Sequence, residues 1–140
     1  YEFIDIDNLI INEINTSIHD FIKSNSEEIF MQKEEKIILN LHLPEKYILS
    51  TGGSSVYSSR AMQFLQKESK IIFLNDTKEN IKNRIKNFSS RGIITKNHTS
   101  FESLYHSRLP LYKKYQDITI NLPKSFSINT AIEKITKNLI

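Results

Sequence analysis

A chain of 140 residues, 39% of them hydrophobic and none of them cysteine, can bury one core of ordinary size and excludes disulfides and thiolate metal sites. No apolar run approaches the roughly 20 residues that span a bilayer, so the composition points to a single cytoplasmic domain, read as a monomer. A formal net charge of +3 with scattered lysines lacks the basic stripe or stacking platform of a nucleic-acid binder.

The first strand candidate, Glu2–Ile6, runs into Asp7 and sets two carboxylates, Asp5 and Asp7, on one side of an extended chain. A helical pattern over Ser26–Leu41 follows. The next strand, Tyr47–Ser50, ends in Thr51-Gly52-Gly53-Ser54-Ser55. Paired glycines at a strand end let the backbone approach a ligand without a Cβ in the way; they also serve as a plain tight turn. Ser55–Glu68 then reads as helix and Lys70–Leu74 as strand. Thr77 caps a helix to Phe88, with Ile81, Ile85 and Phe88 recurring at helical spacing. Ser89–Ser100 is polar, holds Arg91-Gly92 and reads as a mobile lid at about 89–100, or else as a solvated connection with incidental charge. Ser100–Tyr115 is a further helix and Asp117–Leu122 a strand. The last helix, Ile128–Leu139, carries Ile128, Ile132, Ile135 and Leu139 on one stripe, and both apolar stripes are expected in the core. Strands alternating with crossover helices predict an α/β fold, a parallel sheet flanked by helices in three layers.

Lysine is the default cation, with 15 copies against four arginines. Where such a chain still uses arginine, a planar fork for two-point contact with carboxylate or phosphate is one reason. Arg84, Arg91 and Arg108 fall in one stretch; Arg60 stands apart.

Phe3-Ile4-Asp5-Ile6-Asp7, Phe30 followed by Glu34, Ser50-Thr51-Gly52-Gly53, Arg84, Arg91-Gly92 and Arg108-Leu109-Pro110-Leu111-Tyr112 together resemble the shikimate kinases, in order and spacing, over nearly the whole chain. The resemblance implies a P-loop fold of the nucleoside-monophosphate-kinase type, with ATP and Mg2+. The activity implied is phosphorylation of a hydroxyl on a small carboxylated metabolite, shikimate to shikimate 3-phosphate in aromatic amino-acid biosynthesis. On the same footing, Asp7 binds substrate hydroxyls and accepts the attacking proton, while Asp5 helps hold Mg2+ through water. Gly52 and Gly53 contact the substrate ring, with Ser54 at the usual third glycine and Glu34 supporting them. Arg108 clamps the substrate carboxylate and Arg91 closes over the transferred phosphoryl group. Arg84 lies against the nucleotide, and Pro123 borders adenine.

The chain departs from that pattern in two further ways. Met31 stands where the family has an arginine. No G-x-x-x-x-G-K-[ST] occurs anywhere, and only three glycines are present. Because that motif cradles the phosphates, the 140 residues alone are expected to be inactive. The family's first strand, P-loop and first helix are expected to be lacking, leaving a gap of about 10 Å, two strand spacings, between Tyr47–Ser50 and Lys70–Leu74. A non-catalytic binding or regulatory domain that lost the P-loop, and a gluconate- or nucleotide-kinase relative, are the alternative readings.

Overall fold

The computed structural model describes residues 1–85, 93–98 and 100–139. Strand β1 (Glu2–Asp5) ends because Asp5 changes role. Its carboxylate Oδ1 accepts from the backbone N–H of Asp7 at 2.9 Å and of Asn8 at 3.4 Å, which is the N-cap geometry that starts α1 (Ile6–Ile14). The expectation that Asp5 and Asp7 share one side of a strand is therefore corrected: Asp7 sits in the first turn of a helix. Asn15 ends α1 in the left-handed region at φ 53. Ser17 then caps α2 (Ile18–Ser24) through the Asp20 N–H.

Ser26 caps α3 (Glu27–Leu39), which leads to β2 (Tyr47–Ser50). The helix expected over Ser55–Glu68 is divided. A single 3₁₀ turn (Ser55–Tyr57) is followed by Ser58 in extended backbone, φ −92 and ψ 107, whose hydroxyl caps α4 (Ser59–Glu68). After β3 (Ile72–Asn75), Thr77 caps α5 (Lys78–Arg84). Ser100 caps α6 (Phe101–Tyr115), and the chain closes with β4 (Ile118–Asn121) and α7 (Ile128–Leu139).

All described strand pairing is parallel. β1 lies beside β2 with Asp5 opposite Ser50, and β3 beside β4 with Asn75 opposite Asn121. Each pair therefore delivers its following segments to one end of its sheet: Asp5–Asp7 with Thr51–Ser55, and Asp76–Thr77 with Leu122–Pro123. Among the described residues no ladder joins β2 to β3. Four parallel strands form two two-stranded sheets among the described residues, accompanied by seven α-helices.

Ile6, Ile10 and Ile38 are fully buried and meet Phe30, Met62 and Leu65 in the main core, between α1, α3 and α4. The stripe on α7 does not join it. Ile128 is 78% exposed, Ile132 53% and Leu139 52%, because α7 packs chiefly against β4 among the described elements. Helical period reveals amphipathicity, but only a partner element makes it core. Ile81 and Ile85 are half-buried, and Phe88 lies outside the described residues.

Candidate functional site

The paired glycines form the meeting point. A Cβ on Gly52 would lie 3.0 Å from Glu34 Oε1 and 3.1 Å from Asp7 Oδ1. One on Gly53 would lie 2.6 Å from Arg108 Nη1 and 3.1 Å from the Tyr112 hydroxyl. The two positions thus face opposite charges, carboxylates on one and a guanidinium on the other. Glycine is needed here for close approach, since a side chain at either position would occupy the space of those groups.

Glu34, only 2% exposed, reaches from α3 beneath the turn and accepts hydrogen bonds from the Ser54 and Ser55 hydroxyls, each at 2.8 Å. Arg108 comes from α6. Its Nε donates to the Tyr57 hydroxyl at 3.2 Å and its Nη2 to the Ile94 carbonyl at 2.6 Å, while Tyr112, one turn on, donates its hydroxyl to the Gly53 carbonyl at 3.1 Å. Phe73 of β3 stacks on Tyr112 with ring centroids 5.3 Å apart, which ties this arm of the site to the second sheet.

Burial, the largest influence, raises the pKa of Glu34, and the Asp7 charge adds to it. The two serine hydroxyls and Arg108 pull the other way. Asp7 keeps part of its surface exposed, yet loss of hydration raises its pKa and the neighbouring Asp5 carboxylate raises it further. A carboxylate held above its ordinary range is a better proton acceptor, and Asp7, Arg108 and backbone amides around one turn suit a ligand bearing both hydroxyls and a carboxylate.

The family model for shikimate kinase matches residues 1–139. The chain belongs to the shikimate kinase family. It is 30% identical over 142 residues to the shikimate kinase of Dictyoglomus turgidum, covering 99% of this chain and 80% of that protein. Against a Clostridium botulinum shikimate kinase the identity is 29% over 140 residues, covering 98% and 82%. Shikimate kinase from Acinetobacter baumannii in complex with shikimate superposes with a TM-score of 0.83 at 20% identity, covering 99% of this chain and 78% of that one. For shikimate kinase from Aquifex aeolicus the TM-score is 0.75 at 20% identity, covering 99% and 83%. These likenesses establish the α/β kinase fold.

Among the shikimate-kinase residues expected from sequence, Asp7, Glu34, Gly52, Gly53, Ser54 and Arg108 come together. Met31 packs at the edge of the core. Arg84 and Pro123 lie apart from them, at the end of the second sheet. There Arg84 pairs with buried Asp76 and lies 5.1 Å from the centroid of Phe126, while Asn80 joins α5 to the loop after β4 through the Lys124 carbonyl. Arg91 and Gly92, with positions 89, 90 and 99 of the expected lid, lie outside the described residues. The described part is better anchored than its polarity suggests: Ile94 is 2% exposed, and Glu27 accepts from Thr95 N, Thr95 Oγ1 and Lys96 N, each at 2.8 Å.

Sequence reasoning missed Ser55, Tyr57, Glu27 and Lys96. Only Tyr57 carried a signal, as an aromatic just beyond the glycines. Asp5 fits a Mg2+ held through water: Oδ1 is taken by the cap, Oδ2 has no hydrogen bond among the described residues, and Mg2+ commonly keeps its waters and uses one or two carboxylates. Arrays of three or more acidic or His side chains able to cage a metal are absent among the described residues.

Glu34 has a testable signature. Its raised pKa means that its contribution to stability is present in full below the ordinary glutamate value of 4.5 and is lost as pH rises through the folded-state value. Glu34→Gln is therefore expected to gain in melting temperature on the wild type as pH rises above that point. Glu34→Ala, which strands two buried hydroxyls, is expected to cost about 1–3 kcal/mol. Parallel melting curves for wild type and Glu34→Gln from pH 4 to 8 would contradict this.

Proposed function

We propose that this shikimate kinase family member transfers the γ-phosphoryl group of ATP to a hydroxyl of shikimate, a step of aromatic amino-acid biosynthesis, as a cytoplasmic monomer. The observation that carries the reading is the placing of Asp7 and Arg108 against the two adjacent glycines. A hydroxyl acid held by its carboxylate at Arg108 would offer a ring hydroxyl to Asp7. Asp7 then accepts the proton as the hydroxyl attacks, its raised pKa matching it to that task. Glu34 positions the turn through Ser54 and Ser55. Arg84 and Pro123 would lie against the nucleotide, and Arg91 would close over the transferring group. Mg2+, when bound through Asp5, would neutralise phosphate charge. Among the described residues no helix is long and apolar enough to cross a membrane.

Phosphoryl transfer also needs a phosphate cradle, and no G-x-x-x-x-G-K-[ST] lies within the 140 residues. The 140 residues are therefore expected to bind shikimate without phosphorylating it, and to turn over once a phosphate-binding loop is joined to them. Calorimetry with shikimate and a coupled ADP-release assay on both forms check this. Absence of shikimate binding by either form would refute the substrate assignment, and turnover by the 140 residues alone would refute the need for the loop.

A further inference from the structure

The end of the second sheet holds a buried charge that the transfer reaction above leaves without a task. Asp76 is 7% exposed, and a carboxylate taken that far from water is kept only where partners compensate it. Its Oδ1 accepts from the Thr77 N–H at 2.7 Å and from Asn80 Nδ2 at 2.8 Å. Its Oδ2 has no hydrogen bond among the described residues and instead forms an ion pair with Arg84 Nη2. The same Asn80 amide donates to the Lys124 carbonyl at 3.0 Å, so one network joins the end of β3, α5 and the loop after β4.

Arg84 is thereby fixed from several directions. Nη2 meets Asp76, Nε donates to the Asn80 carbonyl at 3.3 Å, and the guanidinium carbon stands over the Phe126 ring, 5.1 Å from its centroid. An ion pair between two exposed side chains contributes little order. Here the buried Asp76 cannot leave for water, so the long arginine stem gives up its freedom to that partner. Both polar anchors use N–H groups at the guanidinium edge, which leaves its faces for stacking, and 53% of the Arg84 side chain remains exposed.

We propose that Asp76 is a positioning residue for the nucleotide: it holds the Arg84 guanidinium beside Phe126, so that the two planar groups form a stacking surface for the adenine base of ATP. The inference rests on the kinase reading above and adds Asp76 and Phe126 to the residues named there. Guanidinium and phenyl planes both stack on a nucleobase, and a surface fixed before binding spares the loss of side-chain freedom on binding. In this role Asp76 acts through Arg84 and touches neither the phosphates nor the substrate hydroxyl, so its effect falls on ATP affinity and not on turnover.

The test compares ATP, which carries the base, with inorganic tripolyphosphate, which does not, by calorimetric titration of the 140 residues and of the form joined to a phosphate-binding loop. Asp76→Asn keeps the shape and an acceptor for the Thr77 N–H but removes the charge that holds Arg84. It is expected to weaken ATP binding about 5- to 20-fold, the order of one stacked base, with tripolyphosphate affinity and kcat unchanged. In an Arg84→Met background the same exchange should cost nothing further, since the two residues act as one unit. Phe126→Leu, which keeps bulk and loses the aromatic plane, should reproduce the selective loss and serves if Asp76→Asn does not fold. Unchanged ATP affinity in Asp76→Asn or in Phe126→Leu, or an equal loss for ATP and tripolyphosphate, would overturn the inference while leaving the kinase reading intact. Wild-type protein that binds neither compound in either form would overturn both.

Discussion

Asp7→Asn is expected to lower kcat about 10²–10⁴-fold, the usual cost of removing a positioned base, when measured in protein joined to a phosphate-binding loop. Added Mg2+ should not restore the rate, since the lost group acts on the hydroxyl and not on the metal. The acid limb of the wild-type kcat profile should lie above the ordinary aspartate range, because loss of hydration and the Asp5 charge both raise the Asp7 pKa, and that limb should vanish in the mutant. Asp5→Asn provides the contrast. Asparagine is as good an N-cap as aspartate, so α1 should keep its start and the melting temperature should change little. The mutant's Mg2+ requirement should rise, with partial recovery at high metal. Similar losses of melting temperature in both mutants, with turnover per folded molecule kept, would mean that the two aspartates act only on the strand-to-helix junction. Steady-state kinetics across a Mg2+ titration, beside melting curves, decides between these outcomes.

The second large effect is expected at Arg108. Replacing it by Met removes a two-point, charge-assisted contact to the substrate carboxylate, worth about 1.5–3 kcal/mol, so shikimate affinity should fall by about 10- to 150-fold. Arg108→Lys should recover little, because an ammonium cannot reach the Tyr57 hydroxyl and the Ile94 carbonyl together as the fork does. Gly53→Ala should mimic part of this loss from the other side: the new methyl would stand 2.6 Å from Arg108 Nη1, and the guanidinium would have to leave its partners. Titration with shikimate measures both, with melting curves to separate affinity from folding. Wild-type affinity in Arg108→Met would exclude Arg108 as the clamp.

What the sequence made legible was local. The strand end at Ser50, the glycine pair and the Thr77 cap depend on neighbours within a few residues, so their chemistry can be read along the chain. The junction at Asp5 was misjudged because the apolar alternation continues through Ile4 and Ile6, and only the carboxylate's bonds to the Asp7 and Asn8 amides show that the strand has ended. Ser58 broke an expected helix in the same way, by capping the next one. Long-range pairings were beyond reach. Nothing near Glu34 announces that Ser54 and Ser55 will donate to it, and nothing near Lys96 announces Tyr57. The stripe on α7 shows the complementary error, a correct period that leaves Ile128, Ile132 and Leu139 exposed.

Tyr57 places a constraint on how this chain can change. One ring supports both the fork from α6 and the ammonium from the segment held by Glu27, so a single substitution there disturbs two residues that are far apart in sequence. Changes at Arg108 and Lys96 need not add, since each alters the surface on which the other rests. Successive substitutions at this site are therefore coupled in order as well as in kind: the ring must stay aromatic while either cation is exchanged.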